Sequence, residues 1–453
     1  MRGFLASSIG VTCAAALALP LTLPSSGAWA ATPGVPPAGP PAEAIPGSTQ
    51  SLPLAPLGTD RSLGPADREQ GLARRDVRPF SLVGVVWDDP ADELNGTVQV
   101  RTRASGTRTW SGWQGVETHN HEHAADPGTL EGGTGKARGS TAPLWVGHSD
   151  GVEIRVRAQS DRRTGRGPAE SLLPEGLRLE LIDPGDEPPP RGSQAQAAQA
   201  TVMTVDSAAA SAVNADLAPL GADVIPELTK RQTEDDLTAA RGAPEDAAKA
   251  RPYIGPRPRI ITRKGWGADE RIREKNFAYT KTVKAAFVHH SASGNNYSCS
   301  QAGSVLRSIY RYHVKSSGWR DFGYNFAVDK CGNIYEGRAG GVAKPVLGAH
   351  TRGFNANSTG IAVLGTYSRS NPPKAAVNAI ARLTAWKLGL YGADPSGTTV
   401  LTSGGGNLYK KGTEVRLRVI SGHRDGFATD CPGSRLYGKL GTARSASARM
   451  QGR

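Results

Sequence analysis

Two short segments of the C-terminal half carry side chains that bind transition metals. Val288-His289-His290-Ser291 supplies imidazoles, and Gly422-His423 is followed by Cys431-Pro432-Gly433, which supplies a thiol. Three protein ligands with a fourth position left open describe a catalytic zinc site, where the metal lowers the pKa of bound water to about 7. The set His289, His423 and Cys431 therefore predicts bound Zn²⁺, because zinc suits a mixed nitrogen and sulfur donor set.

Strands must position these side chains. Residues 282–288 and 416–422 are apolar or alternating runs that end directly before His289 and His423. Because neighbouring residues of a strand point to opposite sides, only one of His289 and His290 can face the metal. We assign His289 as the ligand and expect His290 to pack on the opposite side.

The surrounding region, residues 258–445, mixes helical and strand periodicity. Amphipathic stripes predict helices over 300–315 and 373–390, and a turn at 330–332 predicts a hairpin. The continuous apolar run at 359–365 predicts a buried central strand. The expected fold class is α+β, a mixed β-sheet flanked by helices.

The rest of the chain divides by composition. A basic start, an apolar run and Ala28-Trp29-Ala30 predict a signal peptide over 1–30. Residues 31–78 and the Ala- and Pro-rich residues 186–257 are predicted to be disordered linkers. Short alternating runs predict an N-terminal β-sandwich over 79–185, and 446–453 is expected to be a basic tail. No segment has the apolar length of a transmembrane helix.

Aromatic residues and histidines of the predicted sandwich leave alternatives open. Trp110, Trp113 and Trp145 suit either a carbohydrate-stacking face or the core, and the core is favoured. His119, His121 and His123 alternate, so on a strand they would share one face and could bind a metal. Because Pro and Gly surround them, an exposed loop is favoured over a metal site.

Cysteine usage agrees with an exported protein. Cys13 leaves with the signal peptide, and the mature chain keeps three thiols. A disulfide between Cys299 and Cys331, with Cys431 on the metal, accounts for all three. We expect a secreted, cell-wall-associated protein.

The charge suggests an anionic partner. The formal net charge is +13, which fits anionic cell-wall polymers for an exported protein. No nucleic-acid motif is present, so nucleic acid is not an expected partner.

Six motifs in order resemble the peptidoglycan recognition protein family, also called type 2 N-acetylmuramoyl-L-alanine amidases. They lie at 288–291, 318–326, 334–338, 348–350, 357–361 and 422–433. The resemblance covers about 258–440, and the predicted N-terminal β domain is similar to that of exported actinobacterial amidases.

The resemblance implies a zinc-dependent cleft that hydrolyses the amide between muramic acid and L-alanine of peptidoglycan. It makes His289, His423 and Cys431 the metal ligands and Tyr324 a catalytic residue that hydrogen-bonds the oxyanion or orients water. Thr429 stands where the phage enzymes carry lysine and is assigned a catalytic role. His350, Arg338 and Asn357 are assigned to substrate binding.

Two other functions are compatible with the sequence. Many family members bind peptidoglycan without cutting it, but these typically lack the zinc-binding cysteine, so Cys431 favours an enzyme. In an adhesin-like structural protein, the predicted sandwich would carry the function and the C-terminal region would tether it.

Overall fold

The computed structural model describes residues 47–57, 69–118, 123–129, 136–159, 173–186, 203–241 and 252–453. The predicted signal peptide, 1–30, lies outside these residues. Within the described ranges, each helix is too short or too polar to cross a bilayer.

The N-terminal strands form an antiparallel β domain. Its strands are β1 (Ser48–Pro53), β2 (Ala55–Pro56), β3 (Glu69–Trp87), β4 (Gly96–Ala104), β5 (Gln114–Val116), β6 (Gly139–Ser140), β7 (Leu144–Ala158) and β8 (Arg178–Asp183). They are hydrogen-bonded in the order β1-β8-β3-β7-β4-β5, and β2 and β6 also pair with β3. Val98 and Val100 of β4 are buried between more exposed neighbours, as the alternating pattern predicts.

The tryptophans of the β domain divide between core and surface. Trp145 is buried, as favoured from the sequence. Trp110 and Trp113 are only half-buried, so the prediction that they form part of the core is wrong. The Arg155 guanidinium lies 4.2 Å from the Trp113 ring centroid and Arg74 lies 5.0 Å from that of Trp110. These cation–π contacts compensate for incomplete burial.

The C-terminal domain contains a mixed sheet with the order β17-β11-β14-β12-β13-β10-β9. Its elements are α1 (Val205–Ala212), β9 (Val224–Ile225), α2 (Lys230–Arg241), β10 (Ile260–Ile261), α3 (Arg263–Trp266), β11 (Ala285–His290), α4 (Ala302–Arg311), β12 (Phe326–Val328), β13 (Ile334–Glu336), β14 (Ser358–Val363), α5 (Lys374–Gly389), β15 (Thr398–Thr402), β16 (Glu414–Arg418), β17 (Ile420–Gly422), α6 (Ser434–Tyr437) and α7 (Leu440–Gln451). β15 and β16 form a separate two-stranded sheet. The predicted α+β class is confirmed.

Helices cover both faces of this sheet. Ile361 of β14 packs with Ile380 and Leu383 of α5, whereas the next residue, Ala362, belongs to the cluster around Ile309 of α4. Successive strand residues alternate between faces, and β14 is buried along its whole length. This explains the continuous apolar run that predicted a central strand.

The predicted linker over 186–257 is wrong for residues 203–241, which are folded against the C-terminal domain. β9 extends the sheet by pairing with β10, and Ile225 and Leu237 lie in the hydrophobic core. The Asn214 amide donates a 2.8 Å hydrogen bond to the buried Glu336 carboxylate. A few apolar side chains and a sheet edge are sufficient to order a segment of polar composition.

Two other boundaries also change. β1 and the first part of β3 lie in the predicted linker 31–78, and β1 is ordered by backbone pairing with β8. The predicted basic tail, 446–453, is largely the end of α7. There Ala448 is buried, and Gln451 Nε2 donates a 3.0 Å hydrogen bond to the Ala385 carbonyl. Segments that are ordered by backbone pairing or by small buried residues show no apolar periodicity in the sequence.

Cys299 and Cys331 form a disulfide across 32 residues, with their Cα atoms 6.2 Å apart. It joins the entry to α4 with the turn between β12 and β13. Cys431 is not part of a disulfide, which agrees with the predicted division of the cysteines.

Replacing both Cys299 and Cys331 by alanine is expected to lower the free energy of unfolding by about 3 to 4 kcal/mol. The physical reason is that the cross-link restricts the unfolded chain over a loop of this length. Urea unfolding of the two proteins would measure the difference. A decrease below about 1 kcal/mol would contradict this stabilising role.

Candidate metal centre

The ends of two neighbouring parallel strands bring His289 and His423 together. Val288 of β11 is paired in register with Gly422 of β17. His289 is the next residue of β11, and His423 directly follows the end of β17. Adjacent strands lie about 4.8 Å apart, so the two imidazoles share one edge of the sheet. Both are completely buried, and their ring centroids are 4.6 Å apart.

A tight corner places the Cys431 thiol beside these rings. Cys431 Sγ lies 3.7 Å from His289 Nδ1. The Thr429 hydroxyl accepts a 3.1 Å hydrogen bond from the Cys431 backbone N–H. Gly433 has a φ of +84°, and a Cβ there would approach the Tyr367 backbone to 2.4 Å, so this turn requires glycine. The corner thereby fixes the direction of the thiol.

The fourth side chain of the cluster, His123, comes from the β domain. His123 is 5% exposed, and its Nε2 lies 3.2 Å from His423 Nδ1. The expectation that His123 lies in an exposed loop is therefore wrong, while His119 and His121 lie outside the described residues. The alternating histidines were the sequence signal, but nothing in the sequence showed which distant surface the loop would meet.

The spacing of the donor atoms fits zinc. Tetrahedral zinc, with Zn–N of about 2.05 Å and Zn–S of about 2.3 Å, separates two nitrogen ligands by about 3.3 Å and nitrogen from sulfur by about 3.6 Å. The observed separations are 3.2 Å between His423 and His123 and 3.7 Å between His289 and Cys431. One donor atom from each of these four residues lies within 4.8 Å of the others.

The electrostatics of the site favour a neutral His289 imidazole. Burial lowers the pKa of His289 well below its ordinary value, and repulsion from the neighbouring His423, His350 and His123 lowers it further. A metal ligand must present an unprotonated nitrogen. The site is therefore prepared to bind a cation without first losing a proton from His289.

Thr351 contacts the candidate ligand His289 and was not predicted from the sequence. Its Oγ1 lies 3.3 Å from His289 Nε2 and 3.0 Å from His350 Nδ1. If Nδ1 of His289 faces the metal, Nε2 carries the proton and donates to Thr351, which fixes the ring. The Asn355 side-chain oxygen accepts hydrogen bonds from the backbone N–H groups of His350 and Thr351. A lone threonine gave no signal in the sequence.

Tyr324 lies at the cluster, as expected of a residue near the reacting group. Its ring centroid is 5.2 Å from that of His289 and 5.8 Å from that of His123. The ring is 4% exposed. Its packing between imidazoles holds the phenol in place, and its catalytic role stays a prediction.

The structure separates the residues assigned to substrate binding. His350 is completely buried beside His289, and burial together with the Arg338 charge lowers its pKa to about 3. Arg338 donates a hydrogen bond to the Leu347 carbonyl. Asn357 precedes Ser358, which pairs with Ala285. That pair is four residues before His289, or about 13 Å along the strand, so Asn357 is not brought to the cluster.

His290 faces away from the candidate metal centre, as the strand geometry requires. Its Nδ1 accepts a 3.1 Å hydrogen bond from the Tyr367 backbone N–H. Burial lowers its pKa to about 4, with a smaller effect from the Arg424 charge. His290 is thus a packed, neutral residue on the side of β11 opposite the candidate metal centre.

Comparisons with known families match both domains. Residues 279–434 match the family model described as N-acetylmuramoyl-L-alanine amidase. Residues 37–177 match the model described as Rv3811 N-terminal galactose-binding domain-like.

Similar curated proteins align with the C-terminal domain. Peptidoglycan-recognition protein SC2 of Drosophila melanogaster is 29% identical over 185 residues, which are 40% of this chain and 85% of that protein. The N-acetylmuramoyl-L-alanine amidase of Homo sapiens is 32% identical over 140 residues, 30% of this chain and 20% of that protein. A solved structure, Drosophila PGRP-LB wild-type, is 27% identical, with a TM-score of 0.32 over 40% of this chain and 92% of that chain.

Proposed function

Because residues 279–434 form a domain of the N-acetylmuramoyl-L-alanine amidase family, we propose that the chain is a zinc-dependent member that hydrolyses peptidoglycan. The bond cut is the amide between the lactyl group of muramic acid and L-alanine. The observation that carries this proposal is the convergence of His289, His423 and Cys431 at one edge of the sheet, with their donor atoms within 4.8 Å of one another.

His289, His423 and Cys431 would hold the ion, which when bound supplies Lewis acidity and lowers the pKa of water. The chain's own groups have separate tasks. Thr351 keeps the His289 ring oriented through its 3.3 Å contact with Nε2. The Tyr324 hydroxyl donates a hydrogen bond to the oxygen that becomes negative as the amide carbon turns tetrahedral.

Thr429 has a positioning role that its geometry supports. The Thr429 hydroxyl accepts from the Cys431 N–H and so holds the corner that aims the thiolate. A further catalytic role for this hydroxyl remains part of the proposal. His350 is also assigned a positioning role, because it contacts the Thr351 hydroxyl rather than an open surface.

A binding protein without activity is the second candidate function. It is favoured only by the similarity to recognition proteins, some of which bind peptidoglycan without cutting it. Cys431 supports the enzyme, since a binding function does not require a buried thiol beside two imidazoles. The net charge of +13 supports an additional attraction to anionic cell-wall polymers. Secretion and association with the cell wall are part of this proposal.

Digestion of purified peptidoglycan by the zinc-loaded full chain tests the bond assignment. Cleavage of the muramoyl amide is expected to release new N-terminal alanine while the number of reducing sugar ends stays constant. Dansylation and a reducing-sugar assay measure the two products, with Cys431→Ala as the control. New reducing ends would indicate a glycosidase and contradict the proposal.

A further inference from the structure

The β domain packs against the C-terminal domain through an apolar interface. Leu82, Trp145 and Ile182 of the β domain share one buried cluster with Leu306 and Ile309 of α4. This packing removes apolar surface of both domains from water. The β domain is therefore held beside the candidate metal centre by a hydrophobic contact.

Hydrogen bonds fix the orientation of this interface. The Tyr312 hydroxyl reaches the carbonyls of Val85 and Thr141 at 3.2 and 3.1 Å. The Ser316 hydroxyl donates a 2.7 Å hydrogen bond to the buried Glu180 carboxylate. Buried polar pairs of this kind are costly to separate, because each partner would lose its hydrogen bond.

Residues 123–129, here called the plug segment, reach from the β domain into the centre. Asp126 is 6% exposed, and its Oδ1 accepts hydrogen bonds of 2.7 Å from Gly353 N–H and 2.8 Å from the Asn355 amide. The Asn355 amide also donates to the Ala124 carbonyl at 2.9 Å. The plug segment is thus attached to the same loop that holds Thr351 and His350.

These contacts direct His123 into the centre. Its Nε2 lies 3.2 Å from His423 Nδ1, and its ring centroid is 5.3 Å from that of His289. The residue belongs to the same group of buried donors as Cys431. A water molecule bound to the ion would have to take the direction that this imidazole occupies.

We propose that His123 is a fourth zinc ligand that closes the centre, so that the chain is latent while the plug segment is in place. The proposal rests on the amidase function proposed above. Four protein ligands make a closed, structural type of zinc site, whereas hydrolysis requires one open position. Withdrawal of His123 converts the first type into the second without moving His289, His423 or Cys431.

Two alternatives give different outcomes. If His123 only hydrogen-bonds His423, the ion has two imidazoles, one sulfur and a solvent oxygen. If His123 takes part in catalysis, its removal lowers the rate. Latency requires three imidazoles bound to the ion in the unchanged chain and a higher amidase rate after His123 is removed.

X-ray absorption at the zinc edge counts the imidazoles directly and does not depend on activity. We expect three imidazoles and one sulfur in the full chain. His123→Ala should show two imidazoles, one sulfur and one oxygen, with zinc affinity reduced at least on the order of tenfold. Two imidazoles in the unchanged chain would overturn the proposal.

Amidase activity gives the second readout. His123→Ala is expected to raise turnover about tenfold or more, the factor by which a competent state populated at 10% or less limits a reaction. Asp126→Ala keeps the His123 imidazole but removes the hydrogen bonds that attach the plug segment, so it should also raise turnover. Asp126→Asn should raise turnover less. The matched control is His148→Ala, because His148 is exposed in β7.

The outcomes separate this proposal from the proposed function. A lower rate for His123→Ala would overturn latency even if the amidase reaction is confirmed. Three imidazoles falling to two, with no cleavage by either form, would support the fourth ligand and contradict the amidase. Circular dichroism of each variant verifies that it is folded.

Discussion

In the His123→Ala form, replacement of Cys431 by alanine is expected to remove most of the bound zinc and to reduce kcat/KM by about a thousandfold or more. Cys431 supplies the sulfur donor of the group, and without it the two imidazoles assigned as catalytic ligands no longer suffice for a catalytic centre. Loss of the metal removes several kcal/mol of transition-state stabilisation, and about 4 kcal/mol corresponds to a thousandfold. Metal analysis and rate measurements check the two parts.

Cys431→Ser is the matched variant, because it keeps nearly the same volume at this 3% exposed position. It should show the same loss of rate. Each substitution is best measured alone and combined with His123→Ala. The form without His123 is expected to have the higher turnover, so a loss of rate can be measured over a wider range. Unchanged zinc content in Cys431→Ala, alone and in the combination, would rule out this ligand assignment.

Tyr324→Phe should retain zinc and lose about 10² to 10³ in kcat. The substitution removes only the hydroxyl, and the ring continues to pack 5.2 Å from the His289 centroid. One donor to a developing oxyanion is typically worth this factor. Because the donor acts in the transition state, kcat and kcat/KM should fall together.

The control for Tyr324→Phe is Tyr335→Phe, which removes a hydroxyl from a different buried tyrosine. The Tyr335 hydroxyl donates to Asp329 at 2.9 Å, within the β12–β13 hairpin. This variant should cost stability rather than rate. A rise in KM for Tyr324→Phe with kcat unchanged would show that the hydroxyl binds substrate and does not stabilise the oxyanion.

The sequence was sufficient to predict the part of the site that depends on strands. Apolar runs ending before His289 and His423 placed both rings at strand ends, and parallel pairing of β11 with β17 then brings them together. The tight turn at Cys431 agrees with the proline and glycine that directly follow it, because both residues favour turns. These inferences succeed because strand periodicity and turn chemistry are local properties of a sequence.

Contacts between distant segments could not be predicted in this way. His123 meets His423 across 300 residues, through the packing of one domain on another, which leaves no local pattern. Ile225 and Leu237 were assigned to a linker because the Ala- and Pro-rich segment around them has little apolar surface to bury, yet both are core residues. The Thr351 hydroxyl contacts His289 and His350, and no spacing of residues in the sequence predicts these contacts.

Because the plug segment belongs to the same chain as the site it covers, the fraction of molecules in which it is bound there does not depend on protein concentration. A separate inhibitor with millimolar affinity dissociates when it is diluted to micromolar levels. A tethered segment keeps a local concentration in the millimolar range at any dilution. The apolar contact of Leu82 and Ile182 with α4 strengthens this binding. Opening therefore needs an event that releases the plug segment, such as cleavage of the chain or competition by a surface that binds the β domain, and dispersal of the protein alone leaves the centre closed.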